Sequence, residues 1–359
     1  MRPFSLKKQG KETFPALTGI RAMGAASVFF VHLPFDFGFK IIIDVMVFFF
    51  VLSGFLIVYL YYDDLSVKSG NFYRYFINRF ARIYPVYFLL VTIAILLSHD
   101  HRPVYLFKNY TLTHALFFIQ KDRAIQQSWS ITAEECFYLL APFFMFLIRR
   151  FNYFSSLLSA MVLFGAALWI SYMPFSFLHT PGFVFSVTFF GHFFEFFCGI
   201  FLALLILKNK KKEAHALKGS RWTNLGTCGI LGAIGYLLLT NNMNDPHQAF
   251  QFYFINNFFL PIPVAILYFG LICENSLLSR LLSLNLLRLS GRASYSFYLV
   301  HMIIIESIAI PYVLPHFKGH NNLYVIFVFI LTQLIALMIY LFYEQPLNMF
   351  IRKKFSPKQ

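Results

Sequence analysis

Long apolar segments recur along the whole chain, and they restrict its fold more than any other feature. The chain has 359 residues, of which 58% are hydrophobic and only 13% are charged. A soluble protein typically carries about 25% charged residues. Roughly 20 apolar residues in a helix suffice to cross the hydrocarbon of a bilayer, and segments of about this kind follow one another throughout. The sequence therefore predicts an all-α polytopic membrane protein.

Hydropathy predicts about ten transmembrane helices in a single membrane-embedded domain over residues 1–359. The predicted spans are 14–34, 41–62, 83–98, 127–148, 155–173, 186–207, 222–240, 255–274, 293–313 and 323–343. Lys and Arg accumulate on the cytoplasmic side of membrane proteins. Most of the 30 basic residues share one side if the N-terminus is cytoplasmic. We therefore expect both termini to be cytoplasmic.

The net charge of +15 does not require a nucleic-acid partner. Attraction to anionic lipid, together with the accumulation of Lys and Arg on the cytoplasmic side of membrane proteins, accounts for most of a basic inner surface. A phosphate-rich soluble ligand that approaches from the same side is the other interpretation. The four cysteines lie in apolar spans without metal-ligand spacing, so no metal site is expected.

Two polar residues, Arg21 and His32, lie unusually within the first predicted span. Eleven residues of helix turn through just over three full turns and rise roughly 16 Å, so both side chains share one face at different depths. Each residue alone has an ordinary explanation. Arg21 would snorkel to the inner headgroups, and His32 would be an interfacial histidine hydrogen-bonded to a neighbour. Together they favour a long ligand lying along the helix, with its anionic end at Arg21 and its reactive end at His32.

Seven motifs carry a family resemblance. In chain order they are LTGIRAMGAASVFFVH, FFVLSGFLI, FINRFARIYPVYFL, SWSITAEECFYLLAP, FFEFFCGIFLA, SYSFYLVH and YEQPL. They resemble acyltransferase family 3, bacterial membrane enzymes that move acyl groups from coenzyme A to sugars of the cell envelope. The resemblance extends from residue 17 to residue 347. It implies a location in the bacterial cytoplasmic (inner) membrane.

The chain departs from the family pattern at three points. Val47 stands where an acidic residue is frequent, with Asp44 one turn earlier, and His192 replaces a frequent arginine. Some relatives carry an additional C-terminal hydrolase-like domain, and this chain ends at Gln359 without one. We therefore expect the membrane part to deliver the acyl group itself or to pass it to a separate protein.

The resemblance implies acyl transfer to a sugar hydroxyl, which needs a base, a held thioester and stabilisation of the oxyanion. His32 is the candidate base, because a neutral imidazole accepts the hydroxyl proton and returns it to the leaving thiolate. Arg21 and Glu134 are the other catalytic candidates. Glu134, preferred slightly to Glu135, either orients His32 or pairs with Arg21, and a purely structural carboxyl is the alternative.

The acyl donor implied by the family is a coenzyme A thioester, most commonly acetyl-CoA. Arginine forks recognise phosphate, and the motif places Arg79 and Arg82, with Arg74 nearby, at the cytoplasmic start of the third span. Ser53 and Gly54 interrupt the second span where the backbone approaches either a neighbouring helix or the pantetheine arm.

The acceptor candidates come from two helical stripes. Ser130, Glu134 and Tyr138 follow one another at four-residue intervals, and Ser294, Tyr298 and His301 make a similar stripe. We expect Trp129, Glu135, Tyr138, Tyr298 and His301 to bind a glycan or lipid-linked glycan, or else to pack. Lipopolysaccharide O-antigen or its lipid-linked precursor is the expected acceptor. A transporter that supplies acyl groups to a separate transferase is the alternative function.

Overall fold

Helices make up almost all of the described chain. The computed structural model describes residues 14–35, 44–65, 72–98, 100, 102–113, 116, 123–173, 178, 180–209, 219–240, 246–317 and 319–355. These residues contain no strand, which confirms the predicted all-α class. By length and composition, eight of their helices can cross a membrane, and two shorter apolar helices match the first two predicted spans. The predicted number of ten crossings and the side of the termini stay predictions.

Sixteen α-helices occur in the described residues. They are α1 (Pro15–Val31), α2 (Met46–Tyr61), α3 (Phe72–Ser98), α4 (Pro103–Tyr110), α5 (Trp129–Arg150), α6 (Tyr153–Ser171), α7 (Pro181–Val187), α8 (Phe189–Asn209), α9 (Arg221–Thr240), α10 (Pro246–Phe254), α11 (Pro261–Cys273), α12 (Leu277–Leu282), α13 (Asn285–Arg292), α14 (Ser294–Ile304), α15 (Asn321–Ile339) and α16 (Gln345–Phe355).

Two helices are longer than hydropathy predicts. Helix α3 begins at Phe72, whereas the predicted span begins at residue 83. The prediction starts late because Arg74, Asn78 and Arg79 lower the hydropathy of the first turns of the helix. The last span continues through a π-helical segment, Tyr340–Glu344, into the basic helix α16. In both regions an amphipathic helix extends an apolar one, and a hydropathy window detects only the apolar part.

Close backbone contacts between helices hold the site's framework together. Helix α2 packs along α8, and a side chain at Gly54 would overlap the carbonyl group of Phe196. Gly199 is pressed in the same way against the backbone of α2 at Val51. Small residues at such crossings allow helices to approach closely in an apolar environment. Helix α1 packs on α13 and α14, and α16 packs on α3.

Candidate active site

A polar cavity of about 110 Å³ lies within the helical bundle, between α1, α2, α3, α5 and α14. Its volume is sufficient for several water molecules. Seven of the predicted site residues line it: Arg21, Ser53, Arg79, Arg82, Glu134, Tyr138 and Tyr298. Ser130 and Ser294, from the two predicted stripes, also line it. The cavity therefore joins residues from five separate helices into one site.

Glu134 is the centre of a hydrogen-bond network in this cavity. Its Oε1 accepts hydrogen bonds from the hydroxyls of Ser53 on α2 and Tyr138 one turn later on α5. These two donors stabilise a carboxylate. The described residues give Glu134 no hydrogen bond to His32 or Arg21, so neither predicted partner contacts it directly.

The two arginines of α3 have different surroundings. Arg79 lies over the rings of Tyr61 and Tyr138, 5.0 and 5.4 Å from their centroids, and donates to the Tyr61 hydroxyl at 3.2 Å. Arg82 forms an ion pair with Glu344, with 2.5 Å between Nη1 and Oε1. Glu344 is almost fully buried and also accepts from Ser296 at 2.6 Å. Arg82 is thus charge-balanced within the protein, and Arg79 is held by aromatic rings.

Arg21 lines the cavity but differs from Arg79 and Arg82 in its contacts. It lies within electrostatic range of Arg82, Glu134 and Glu344. Within the described part of the chain it forms neither an ion pair nor a hydrogen bond. An arginine that lines a cavity without a partner is suited to an anionic ligand.

His32 and His301 form a second group beyond the cavity. Their ring centroids are 5.2 Å apart. The Nδ1 atoms lie 2.8 Å from the Val28 carbonyl oxygen and 2.6 Å from the Tyr298 carbonyl oxygen, respectively. A carbonyl only accepts, so each Nδ1–H donates, and in the neutral ring each Nε2 keeps its lone pair. Nε2 of the buried His301 has no hydrogen-bond partner among the described residues.

Tyr298 connects the cavity with the histidines. Its hydroxyl lies in the cavity wall, 2.6 Å from the hydroxyl of Ser130, and donates to the Gln127 carbonyl at 2.7 Å. Its ring centroid is 5.8 Å from that of His301. The arginine cavity and the histidine pair are therefore neighbouring parts of one region, and Tyr298 contacts both.

Three other predicted site residues lie outside the cavity wall. Gly54 faces α8. Of the two interpretations of its close backbone approach, a neighbouring helix or the pantetheine arm, the structure shows a neighbouring helix. Arg74 lies 3.6 Å from Asp64 in an ion pair near the start of α3. Glu135 is not part of the cavity wall, and its Oε1 is buried without a hydrogen-bond partner among the described residues. The structure thus separates the two adjacent glutamates.

Trp129 belongs to a buried polar cluster beside the cavity. Its ring stacks on His192 with 5.6 Å between the centroids, and His192 Nδ1 lies 2.7 Å from Glu195. Asp44 lies nearby at the start of α2, where it accepts from the Met46 backbone N–H.

Sequence analysis missed two members of the region around the cavity. Glu344 appears there only within the YEQPL motif, without its pairing with Arg82, and Tyr61 is not singled out. The YEQPL motif was the available signal for Glu344, because a carboxylate at the edge of an apolar span needs a partner when it is buried. Tyr61 stands in an aromatic-rich segment where no pattern distinguishes it from packing residues.

The fold and the cavity define an integral membrane protein with an arginine-lined polar chamber inside a helical bundle. The family described as acyltransferase domain matches residues 14–341. The chain therefore belongs to acyltransferase family 3, as its motifs predict.

Two curated relatives agree with this assignment. The chain is 26% identical to YrhL of Bacillus subtilis (strain 168), named provisionally as a peptidoglycan O-acetyltransferase, over 95% of this chain and 56% of the relative. It is 24% identical to the peptidoglycan O-acetyltransferase OatA of Listeria monocytogenes serovar 1/2a (strain ATCC BAA-679 / EGD-e), over 83% of this chain and 50% of the relative. The chain thus spans about half the length of these relatives. No solved structure matches it.

Proposed function

We propose that this protein is a membrane O-acetyltransferase that moves an acetyl group from coenzyme A to a hydroxyl of a cell-envelope glycan, in the bacterial inner membrane. The cavity carries this proposal, because it combines three arginines with the Ser53–Glu134–Tyr138 network inside an acyltransferase-family bundle. A bundle that only packed lipid-facing helices would not gather these charges in its interior, where each is costly.

The arginines suit the donor's charged portion. Coenzyme A carries a diphosphate and a 3′-phosphate. A guanidinium group binds phosphate through two parallel N–H···O hydrogen bonds. Arg21 and Arg79 are the main candidates, since Arg82 already pairs with Glu344. The acyl-bearing arm would extend from these arginines into the chamber beside Glu134. Membrane lipid surrounds the bundle in this arrangement.

His32 is the proposed general base. Its Nε2 lone pair takes the proton of the acceptor hydroxyl while the hydroxyl oxygen attacks the thioester carbonyl carbon. The carbon–sulfur bond then breaks, and the imidazolium returns the proton to the departing thiolate, so that the products are the ester and free coenzyme A. The Nδ1–H bond to the Val28 carbonyl holds the ring in the tautomer this step needs.

The acceptor is a surface polysaccharide. We propose lipopolysaccharide O-antigen or its lipid-linked precursor, and peptidoglycan is the second candidate because both curated relatives are named for peptidoglycan. A transporter that passes acetyl groups to a separate transferase is an alternative function.

The test measures thiol release from acetyl-CoA by the purified full chain in lipid nanodiscs, with lipopolysaccharide, peptidoglycan fragments or no acceptor. His32→Ala is expected to abolish acceptor-dependent turnover, and Arg21→Ala to raise the KM for acetyl-CoA. Arg102→Ala is the matched control, because Arg102 is exposed and pairs with Asp100 at the surface. Unchanged turnover in His32→Ala would exclude His32 as the base.

The transporter alternative needs a separate measurement. Proteoliposomes that receive acetyl-CoA on one side are assayed for labelled acetyl groups on the other side in the absence of a glycan. Acetyl groups that cross without an acceptor, together with no glycan acetylation in nanodiscs, would favour transport over transfer.

A further inference from the structure

Apolar side chains form much of the cavity wall at one end, and no step of the proposed function uses them. The face of α2 that lines the cavity carries Met46, Phe49 and Phe50 before it reaches Ser53. Ile131 of α5 lines the cavity as well. These side chains neither bind phosphate nor donate to an oxyanion. They offer a surface that a short hydrocarbon group can contact.

Contacts between α2, α3 and α5 fix the order of residues along the cavity. Ser53 of α2 donates to Glu134 of α5, so these two residues lie at one level. Arg79 lies further along both helices. Its guanidinium carbon is 5.4 Å from the ring centroid of Tyr138, one turn after Glu134. It also donates at 3.2 Å to the hydroxyl of Tyr61, about two turns after Ser53.

The apolar wall lies in the opposite direction from this level. Phe50 precedes Ser53, and Ile131 precedes Glu134, by about one helical turn in each case. The ring centroids of Phe50 and Trp129 are 6.4 Å apart, so the first turns of α2 and α5 lie side by side. The apolar wall and the donor-binding arginine therefore lie on opposite sides of the carboxylate network.

Phe50 closes the apolar end of the cavity. Its side chain is only 1% exposed, and its ring centroid lies 4.9 Å from that of Phe196 and 5.1 Å from that of His192, both on α8. Phe196 is fixed in turn, because it stacks on Phe137 with 4.2 Å between the centroids. Packing this dense leaves the Phe50 ring no space to turn aside for a longer group.

Packing of a helical bundle does not by itself explain this wall. Protein interiors contain few voids larger than a water molecule, and most buried rings are covered by other side chains. Phe55, also on α2, shows the ordinary case, since its ring centroid lies 5.4 Å from that of Phe14 and 5.3 Å from that of Tyr59. Phe50 and Ile131 border a cavity instead. An apolar surface on a cavity beside the carboxylate network points to an apolar ligand group.

We propose that Phe50 and Ile131 form the end wall of an acyl pocket, which holds the acyl group of the donor and restricts it to a chain about as short as acetyl. This assignment rests on the proposed function for the thioester donor, and it names the residues that select the acyl group. Contact with the wall favours a methyl group, and the closed end excludes further methylene groups. Ser130, beside Ile131, lies 2.6 Å from the Tyr298 hydroxyl, so the pocket is at the end of the cavity that leads to the histidine pair.

The test compares acetyl-CoA, butyryl-CoA and hexanoyl-CoA as donors for the full chain in nanodiscs, with the glycan that wild type accepts. One methylene group in an apolar pocket changes kcat/KM about tenfold or more, so wild type is expected to prefer acetyl-CoA to butyryl-CoA about 100-fold or more. Phe50→Ala is expected to reduce this preference at least about tenfold, and Ile131→Ala to reduce it in the same direction from the other helix.

Phe55→Ala is the matched control, because Phe55 is an equally buried phenylalanine of α2 outside the cavity wall. It is expected to keep the wild-type preference among the three donors. A wild type that uses butyryl-CoA as well as acetyl-CoA would overturn the pocket, and so would equal shifts in Phe50→Ala and Phe55→Ala. Phe50→Leu replaces Phe50→Ala if the latter does not fold, and it is expected to shift the preference in the same direction by a smaller factor.

Binding measurements separate the pocket from the proposed function. Equilibrium affinities of the same three acyl-CoAs are measured without a glycan. If Phe50→Ala binds butyryl-CoA about tenfold more tightly than wild type and Phe55→Ala does not, while no variant acylates a glycan, the pocket stands and the transfer reaction is wrong. If wild type binds none of the acyl-CoAs, the pocket and the proposed donor fail together.

Discussion

At the scale of single residues, the adjacent carboxyl groups Glu134 and Glu135 differ in what surrounds them. Glu134 accepts two hydroxyl hydrogen bonds in the cavity wall, whereas Glu135 has a buried, unpartnered oxygen outside it. Of the two glutamates, only Glu134 lies in the wall of the cavity that is proposed to hold the acyl-bearing arm. The two residues are isosteric neighbours on one helix, so they make a matched pair for mutation.

Glu134→Gln is expected to lower kcat about 100-fold or more, because it removes the negative charge beside the proposed position of the acyl-bearing arm. Glu135→Gln is expected to change kcat less than about threefold, since it neutralises a carboxyl that lies outside the chamber. Steady-state kinetics with acetyl-CoA and the accepted glycan measure both. Similar losses in the two variants would contradict the assignment of Glu134.

The Arg82–Glu344 pair leads to a prediction about stability. Removing one partner of a buried ion pair leaves an uncompensated charge and typically costs about 3–5 kcal/mol. The loss of stability in Arg82→Ala is expected near the lower end of this range, because Arg82 is a quarter exposed while Glu344 is buried. Denaturant titration in detergent measures the free energy of unfolding. The double change Arg82→Ala and Glu344→Gln should recover part of the loss, and a lack of recovery would show that the pair is not the cause.

Single residues also show what the sequence could and could not predict about the site. The spacing of Ser130, Glu134 and Tyr138 correctly predicts one polar stripe, because helical periodicity fixes which residues share a face. The partners across helices, such as Ser53 with Glu134 or His32 with His301, are separated by 81 residues or more. No periodicity in one sequence encodes such contacts. The catalytic and binding roles themselves stay predictions.

At the scale of helices, the crossing of α2 and α8 is the element contact that positions Ser53. Gly54 follows Ser53 directly and lies against the Phe196 carbonyl group, so any side chain there would push the helices apart. The orientation of Ser53 towards Glu134 depends on this close approach.

Gly54→Ala is therefore expected to destabilise the protein by about 1–3 kcal/mol, as overpacked contacts do. It is also expected to reduce turnover, because Ser53 would shift relative to Glu134. Gly165→Ala in α6 is the control, since a Cβ there meets nothing within 4 Å. Alanine is favoured over glycine in helices by up to about 1 kcal/mol, so the control should be neutral or stabilising. Unfolding titrations that rank the two variants in the opposite order would contradict this packing.

Helix boundaries illustrate a second limit of sequence-based prediction. Hydropathy identifies the apolar part of α3 but not its first turns, where Arg74 and Arg79 lie on a helix that still buries Tyr75 and Asn78. The arginines lower the hydropathy, and tertiary packing maintains the helix. The residues before the predicted start of this span at residue 83 thus form the part of α3 that carries Arg79, a proposed donor-binding residue.

At the scale of the whole molecule, the two ends of the bundle have different chemistry. One end carries Arg79, Arg82 and Arg352, and the other carries the surface pair of Asp100 and Arg102 at the far end of α3. The distribution of Lys and Arg predicts that the arginine-rich end faces the cytoplasm. Coenzyme A is made and used in the cytoplasm, so the proposed function requires the same orientation.

Cysteine labelling tests this orientation directly. The native cysteines are first replaced by serine in a background variant; they are Cys136, Cys198, Cys228 and Cys273. In intact cells a membrane-impermeant maleimide is expected to label Arg102→Cys and to leave Lys353→Cys unlabelled until the membrane is opened. Both positions are exposed, so a difference reports the side of the membrane rather than burial. The reverse pattern would place the arginines outside, where they could not receive a cytoplasmic donor, and the donor proposal would fail.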